Sequence, residues 1–126
     1  MTTDDSRRLR ADSDGLLSYE YLANHIADIG DDLASVTDNI IRVDKTGQFT
    51  ASAARYLHAI DSVAYSESVK RLVAATIDKD REHRYLADIL QGIYGSDYAS
   101  RTAELSATDD NFRRIYKRLF PNPDTL

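Results

Sequence analysis

The sequence predicts an all-α protein, folded as an antiparallel bundle of four or five helices. Two observations support this prediction. Apolar residues recur near the N-terminus at alternating steps of three and four, which is the period of a helix that buries one side. Helix-capping residues then precede several later apolar segments. The first apolar series consists of Tyr19, Leu22, Ile26, Ile29, Leu33, Val36, Ile40 and Val43.

Length and composition set limits on the class of protein. A chain of 126 residues with 42% hydrophobic and 29% charged residues is typical of one globular domain. The chain has no cysteine, which excludes disulfides, thiolate zinc sites and thiol nucleophiles. No apolar run approaches the roughly 18 residues that a membrane span needs, and the N-terminal segment lacks the hydrophobic core of a secretory signal. We therefore expect a cytoplasmic protein.

A long first helix is expected over residues 16–43, after a disordered tail of residues 1–14. Residues 15–126 would then form a single helical bundle domain. The apolar side of the first helix spans roughly 160° of arc, which is wide enough to contact two neighbouring helices. Two features oppose a continuous helix. Gly30 costs about 1 kcal/mol relative to alanine, and residues 40–50 could instead form a short β-hairpin.

The rest of the chain predicts shorter helices with one interruption. They are expected at residues 51–65, 67–94, 97–105 and from the Thr108-Asp109-Asp110 cap to residue 119. The polar stretch 78–84 lies inside the second of these. Either the helix breaks there, or polar groups line a central layer or a partner surface. A Tyr-Leu pair recurs at residues 21, 56 and 85, which indicates similar helix faces and no solenoid.

Histidine and aspartate are the candidate metal ligands. His25, His58 and His83 fall on three different predicted helices, where a bundle can collect one ligand from each. No Glu-x-x-His pair accompanies them, so surface or boundary positions are expected. Asp28 and Asp32 lie one helical turn apart, and two exposed carboxylates bind Ca²⁺ or Mg²⁺ only weakly. We therefore expect no metal and no cofactor.

Two groups of basic residues are the candidate partner-binding residues. The net charge of −5 argues against nucleic-acid binding by the whole surface, so clustered cations are unusual in this chain. The first group lies on the last predicted helix and the second lies in the polar stretch. The two groups are Arg113, Arg114, Lys117 and Arg118, and Lys79, Arg81, His83 and Arg84. Such clusters indicate an electrostatic docking surface for an acidic protein surface, RNA or anionic lipid.

The sequence thus predicts a non-catalytic helical protein–protein interaction module that self-associates, and not an enzyme. We expect a homodimer formed through the first or third predicted helix, because both are longer than a protein of this size readily covers. The first alternative is a nucleic-acid-associated regulator that uses the basic C-terminal helix, with the hairpin as a wing. The second alternative is a metal-binding bundle enzyme or sensor.

Overall fold

The computed structural model describes residues 1–121, and this part of the chain contains helices and no strand. The all-α prediction is therefore confirmed, but the described residues form eight short α-helices instead of a bundle of four or five. The helices are α1 (Thr3–Arg10), α2 (Leu16–His25), α3 (Asp32–Val43), α4 (Gln48–Ile60), α5 (Ser66–Lys79), α6 (Leu86–Tyr94), α7 (Thr102–Thr108) and α8 (Asp110–Leu119), with a 3₁₀ helix at Tyr98–Arg101 before α7. Within residues 1–121, no helix combines the length and the apolar character that a membrane span requires.

The prediction of one long N-terminal helix over residues 16–43 is wrong, because the chain turns between α2 and α3. Gly30 lies in this turn with a φ of +52°, a left-handed conformation that glycine adopts without strain. The predicted buried side is nevertheless correct on both sides of the turn. Leu22, Val36 and Ile40 are fully buried in one core. The apolar period therefore indicates which side of each helix is buried in the common core. It does not show that the two segments form one continuous helix.

The predicted third helix also breaks, at the polar stretch. Asp80 is buried immediately after α5, whereas residues 81–84 are exposed in the turn that leads to α6. The longest helix of the described range, α5, has 14 residues and is about 21 Å long. Helix length therefore gives no reason to expect that a second copy of the chain covers one long helix.

The predicted disordered tail is wrong as well, because residues 3–10 form α1. The Thr2 hydroxyl accepts a hydrogen bond from the Asp5 amide at 3.0 Å and caps this helix. Leu9 is buried, and its carbonyl accepts a hydrogen bond from Asn39 Nδ2 at 2.7 Å. With one buried apolar side chain, α1 has too weak a periodic signal to be recognised from sequence.

The β-hairpin alternative at residues 40–50 is also wrong. Helix α3 continues through Val43, and α4 begins at Gln48. Gly47 lies between them with a φ of +92°. The apolar residues at 40–43 are thus the last turn of a helix, and the polar tetrapeptide that follows is a turn between two helices.

Helices α1, α3, α5 and α8 form one layer, and all four run in the same direction. For each pair of neighbours, the contacts progress along both helices in the same direction. The pairs in contact are Met1 and Asp32, Asn39 and Leu9, Arg71 and Asp38, Lys79 and Asp44, Asn111 and Lys70, and Arg114 and Asp78. The last described helix, α8, therefore extends a row that α1, α3 and α5 begin.

Helices α2, α4 and α6 form the second layer and also run parallel to one another. Gly15 at the start of α2 lies against Phe49 at the start of α4, and the Tyr56 hydroxyl donates to the Ala23 carbonyl further along. In the same way, Gly92 of α6 lies against the side chain of the central α4 residue Arg55. Residues 1–121 thus form a stack of three helical hairpins, and α7 then leads to α8, which extends the first layer.

Candidate functional site

Three buried or half-buried aspartates close the turns within the helical hairpins. In each turn, one carboxylate oxygen accepts the backbone N–H of the residue six positions later, in the first turn of the second helix. These bonds join Asp12 to Ser18 (2.8 Å), Asp44 to Thr50 (2.8 Å) and Asp80 to Leu86 (3.0 Å). The other oxygen accepts an N–H within the turn itself. Each carboxylate therefore supplies acceptors to helix N–H groups that have no partner in their own helix.

The residue three positions after each aspartate has a positive φ. The angles are +109° at Gly15, +92° at Gly47 and +56° at His83. The first two turns share the pattern Asp-x-x-Gly, which sequence analysis could have recognised as a repeat. His83 replaces glycine in the third turn and conceals it. The repeated unit of this chain is therefore the aspartate-closed turn, and the Tyr-Leu pair does not mark it.

The pKa of Asp12 predicts one source of acid sensitivity. Burial opposes ionisation, but hydrogen bonds from the Ser18 hydroxyl and from the Ser18, Gly15 and Asp14 amides outweigh it and lower the pKa. Because the pKa of Asp12 is lower in the folded state, its ionised form stabilises the folded state at pH values above the unfolded pKa of about 3.9. This stabilisation is lost as the pH falls through the pKa of the folded state. We expect the difference in unfolding free energy between the wild type and Asp12→Asn to shrink below about pH 4. Urea unfolding across this range measures it, and a difference that stays constant contradicts the assignment.

Alternating acids at Asp78, Asp80 and Glu82 have the spacing of a calcium loop, but each carboxylate already has a partner within the chain. Both oxygens of Asp80 accept backbone N–H groups. Asp78 pairs with Arg114 at 3.1 Å, and Glu82 pairs with Arg84 at 2.6 Å. Arg84 therefore bonds Asp80 through its backbone amide and Glu82 through its side chain.

The three histidines do not converge on a site. The His25 ring stacks on Tyr21 with centroids 4.0 Å apart, and His83 is exposed in the third turn. His58 lies on α4 and is half-buried. Among residues 1–121, no three histidine, aspartate or glutamate side chains are grouped so that they could hold a metal ion.

The four cations of α8 divide into two pairs. Arg114 and Arg118 reach across to the C-terminal end of α5, where they bond the Asp78 carboxylate and the Ile77 carbonyl. Arg113 and Lys117 are exposed on another side of α8, and Arg113 pairs with Asp110. The predicted basic face of α8 is therefore divided into two pairs. Only Arg114 and Arg118 point toward the basic residues of the polar stretch.

The second predicted group surrounds the same end of α5. Lys79 Nζ donates to the Asp44 carbonyl at 2.6 Å and ties α5 to the neighbouring turn. Arg81 and Arg84 are exposed beside it and line a surface depression of about 400 Å³. Lys45, which the sequence analysis missed, lines the same depression from the second turn. No sequence signal links Lys45 to Arg81, since only the packing of the two turns brings them together.

The structure therefore joins cations from three segments into one patch, which we call the basic surface. Half of the α8 group and most of the polar-stretch group contribute to it. Its members are Lys45, Lys79, Arg81, Arg84, Arg114 and Arg118. A patch of this kind in a chain of net charge −5 gives the molecule a strongly uneven charge distribution.

An aromatic cluster holds α8 in the position that this surface requires. Phe112 is fully buried, and its ring makes an edge contact with Tyr94 at a centroid distance of 5.1 Å. The Tyr94 hydroxyl donates to Asp109 at 3.0 Å, and Asp109 also caps α8. Burial and the nearby Asp109 carboxylate raise the pKa of Tyr94 far above its ordinary value, so the phenol remains a donor.

Comparison with family models, curated proteins and solved structures gives no match. The evidence on function is therefore the distribution of charges and the contacts within this chain.

Proposed function

We propose that this protein is a non-catalytic helical interaction module that self-associates and binds an acidic protein surface on its basic surface. The observation that carries the proposal is the meeting of two cation groups, distant in sequence, at the C-terminal end of α5. Opposite charges at a protein interface steer encounter and select partners. The cytoplasmic location stays a prediction from the sequence.

The acids near the basic surface neutralise it only in part. Asp80 is 1% exposed, and its charge is directed at the backbone N–H groups of the third turn. Asp78 and Glu82 each engage one arginine. Lys45 and Arg81 remain exposed with no ion-pair partner among the described residues. These two cations are the ones best placed to meet an acidic partner.

The non-catalytic part of the proposal is supported by how the buried acids are used. A catalytic acid or base must present an available oxygen to a substrate. Both oxygens of Asp44 and of Asp80 instead accept backbone N–H groups within their turns. Their arrangement serves helix capping.

Mass in solution tests the proposal. At low salt, we expect light scattering behind a sizing column to give a mass above that of one chain, and high salt to reduce it, because screening weakens contacts between exposed charges. The double variant Lys45→Glu, Arg81→Glu should have the mass of one chain at both salt concentrations. A matched control, Lys70→Glu with Arg113→Glu, changes the net charge equally outside the basic surface and should retain the wild-type mass.

The following results would contradict the proposal. A wild-type protein that is a single chain at low salt and high concentration would contradict the self-association. If it also does not bind polyglutamate, the whole proposal is wrong. Self-association that the Lys45→Glu, Arg81→Glu variant leaves unchanged would show that the basic surface is not the interface.

Nucleic-acid binding is a second candidate, favoured by one observation on α8. Phe120 is 48% exposed and lies against Tyr116 with ring centroids 4.9 Å apart, beside the exposed Lys117. Aromatic rings next to cations suit base stacking. Arg114 and Arg118 are turned toward α5, which leaves a smaller cationic face for this role. Oligonucleotide binding that falls steeply with salt and is weakened by Phe120→Ala would favour this candidate.

A further inference from the structure

All four helices of the first layer begin with acidic residues and end with basic residues. Each of α1, α3, α5 and α8 has acids in its first turn and cations in its last turn, as the helix dipole favours. The acids are Asp4, Asp5, Asp32, Glu67 and Asp110, and the cations are Arg7, Arg8, Arg10, Arg42, Lys79, Lys117 and Arg118. Because these helices run in one direction, their acidic ends lie together and their basic ends lie together.

The second layer does not cancel this polarity. Helices α2 and α4 have no acid in the first turn, and α6 has only Asp88. At their opposite ends, the last turns contain no lysine or arginine, and His25 and His58 are the basic residues there. The described chain is therefore polarised from one end of its first layer to the other.

The acidic end forms a second defined patch, which we call the acidic surface. It combines the first turns of α1, α3 and α5 with the turn that precedes α3. Its members are Asp4, Asp5, Asp28, Asp31, Asp32 and Glu67. Asp28, Asp31 and Glu67 are exposed, and none of their carboxylates has an ion-pair partner within residues 1–121.

The two surfaces of one chain are too far apart to neutralise each other. Glu67 and Lys79 lie at opposite ends of α5, which is about 21 Å long. The Debye length at physiological ionic strength is about 8 Å. The two surfaces of one chain therefore do not pair with each other, and both remain available to a second molecule.

We infer that the acidic partner of the basic surface is the acidic surface of a second copy of this chain, so that copies associate head to tail. This inference rests on the proposed function and adds the identity of the partner. Two basic surfaces facing each other would repel, which disfavours a symmetric dimer through that patch. A head-to-tail contact leaves one acidic and one basic surface unmatched at the two ends of each dimer. Further copies can then add, and the assembly is open-ended unless its geometry closes into a ring.

Complementary variants test this arrangement. Asp28→Lys with Glu67→Lys reverses two exposed charges of the acidic surface and leaves the basic one unchanged, whereas Lys45→Glu with Arg81→Glu does the opposite. We expect each variant alone to have the mass of one chain at low salt, where the wild type is larger. An equal mixture should recover association, because it contains one intact pair of surfaces. Glu20→Lys with Glu104→Lys, the charge-matched control, should behave as the wild type does.

The outcomes separate the inference from the proposed function. If the wild type associates but the mixture remains monomeric, or if the Asp28→Lys, Glu67→Lys variant keeps the wild-type mass, the head-to-tail inference is wrong and the interaction module stands. If the wild type is a single chain that binds polyglutamate, the head-to-tail inference and the proposed self-association are both wrong, and only the binding of an acidic surface stands. If the wild type is a single chain and binds no acidic polypeptide, both are wrong.

Folding of the variants is checked separately. Circular dichroism should match the wild type, since all four positions are exposed. The melting temperature should stay close to that of the wild type, with a small loss for Glu67→Lys because a cation replaces an acid in the first turn of α5. Should either reversal unfold the chain, the neutral pairs Asp28→Asn with Glu67→Gln and Lys45→Ala with Arg81→Ala replace them. With neutral pairs, we expect weaker association of each variant alone and recovery in the mixture, and no recovery overturns the inference.

Discussion

Replacement of Phe112 by alanine is expected to lower the free energy of unfolding by about 4 kcal/mol. The side chain is fully buried, and its ring contacts Tyr94, Tyr98 and Tyr116 with centroids 5.1, 6.3 and 5.7 Å away. Truncation leaves a cavity and removes these aromatic contacts together. It also weakens the attachment of α8, since Phe112 and Ile115 are the buried side chains of that helix.

Urea unfolding followed by circular dichroism measures this effect. Phe120→Ala provides the matched control, because it removes the same ring from the residue that follows α8, at a position that is 48% exposed. We expect the control to cost less than about 1 kcal/mol. If Phe112→Ala costs no more than Phe120→Ala, the aromatic cluster does not hold α8 in place.

Asp44→Ala is expected to have the second-largest effect, a loss of about 3 kcal/mol in the free energy of unfolding. The Asp44 carboxylate is 1% exposed and accepts hydrogen bonds from the amides of Thr46, Gly47, Phe49 and Thr50. Alanine supplies none of these acceptors, and solvent does not reach the most buried of the amides. An N–H group left without a partner in the interior costs about 1–3 kcal/mol.

Thermal and urea unfolding of a small series tests this role. Asp44→Asn keeps one oxygen and should lose less than Asp44→Ala. Lys45→Ala, at the exposed neighbouring position, should change the free energy of unfolding by less than about 0.5 kcal/mol. Equal stability of Asp44→Ala and Lys45→Ala would show that the carboxylate does not stabilise the second turn.

The apolar period predicted which residues are buried better than it predicted where helices end. Leu22 and Val36 keep the heptad phase across the turn at Gly30 because α2 and α3 bury their apolar sides in the same core. A glycine that costs about 1 kcal/mol in a helix can be tolerated or can end the helix. The choice depends on tertiary packing, which the local pattern does not contain.

The sequence named the cations of the basic surface except Lys45, and it did not show how they are arranged; their binding of a partner stays a prediction. The sequence marks Arg114 and Arg118 as cations of an amphipathic helix, but it does not reveal that they bond the end of α5. Lys45 stands alone in the sequence and reaches the basic surface only because the second turn packs against the third. Such convergence depends on contacts between segments more than 30 residues apart, and periodicity carries no information about them.

The position of α1 at the edge of the stack has a consequence for local stability. This helix buries only Leu9, and it has a single neighbour, α3, in its layer. Local opening of a segment with so few buried contacts requires much less free energy than global unfolding. Opening would carry Asp4 and Asp5 away from the acidic surface and release Asp32 from the Met1 amino group. Assembly would then favour the closed form of α1, so that the order of the first helix depends on the concentration of the protein.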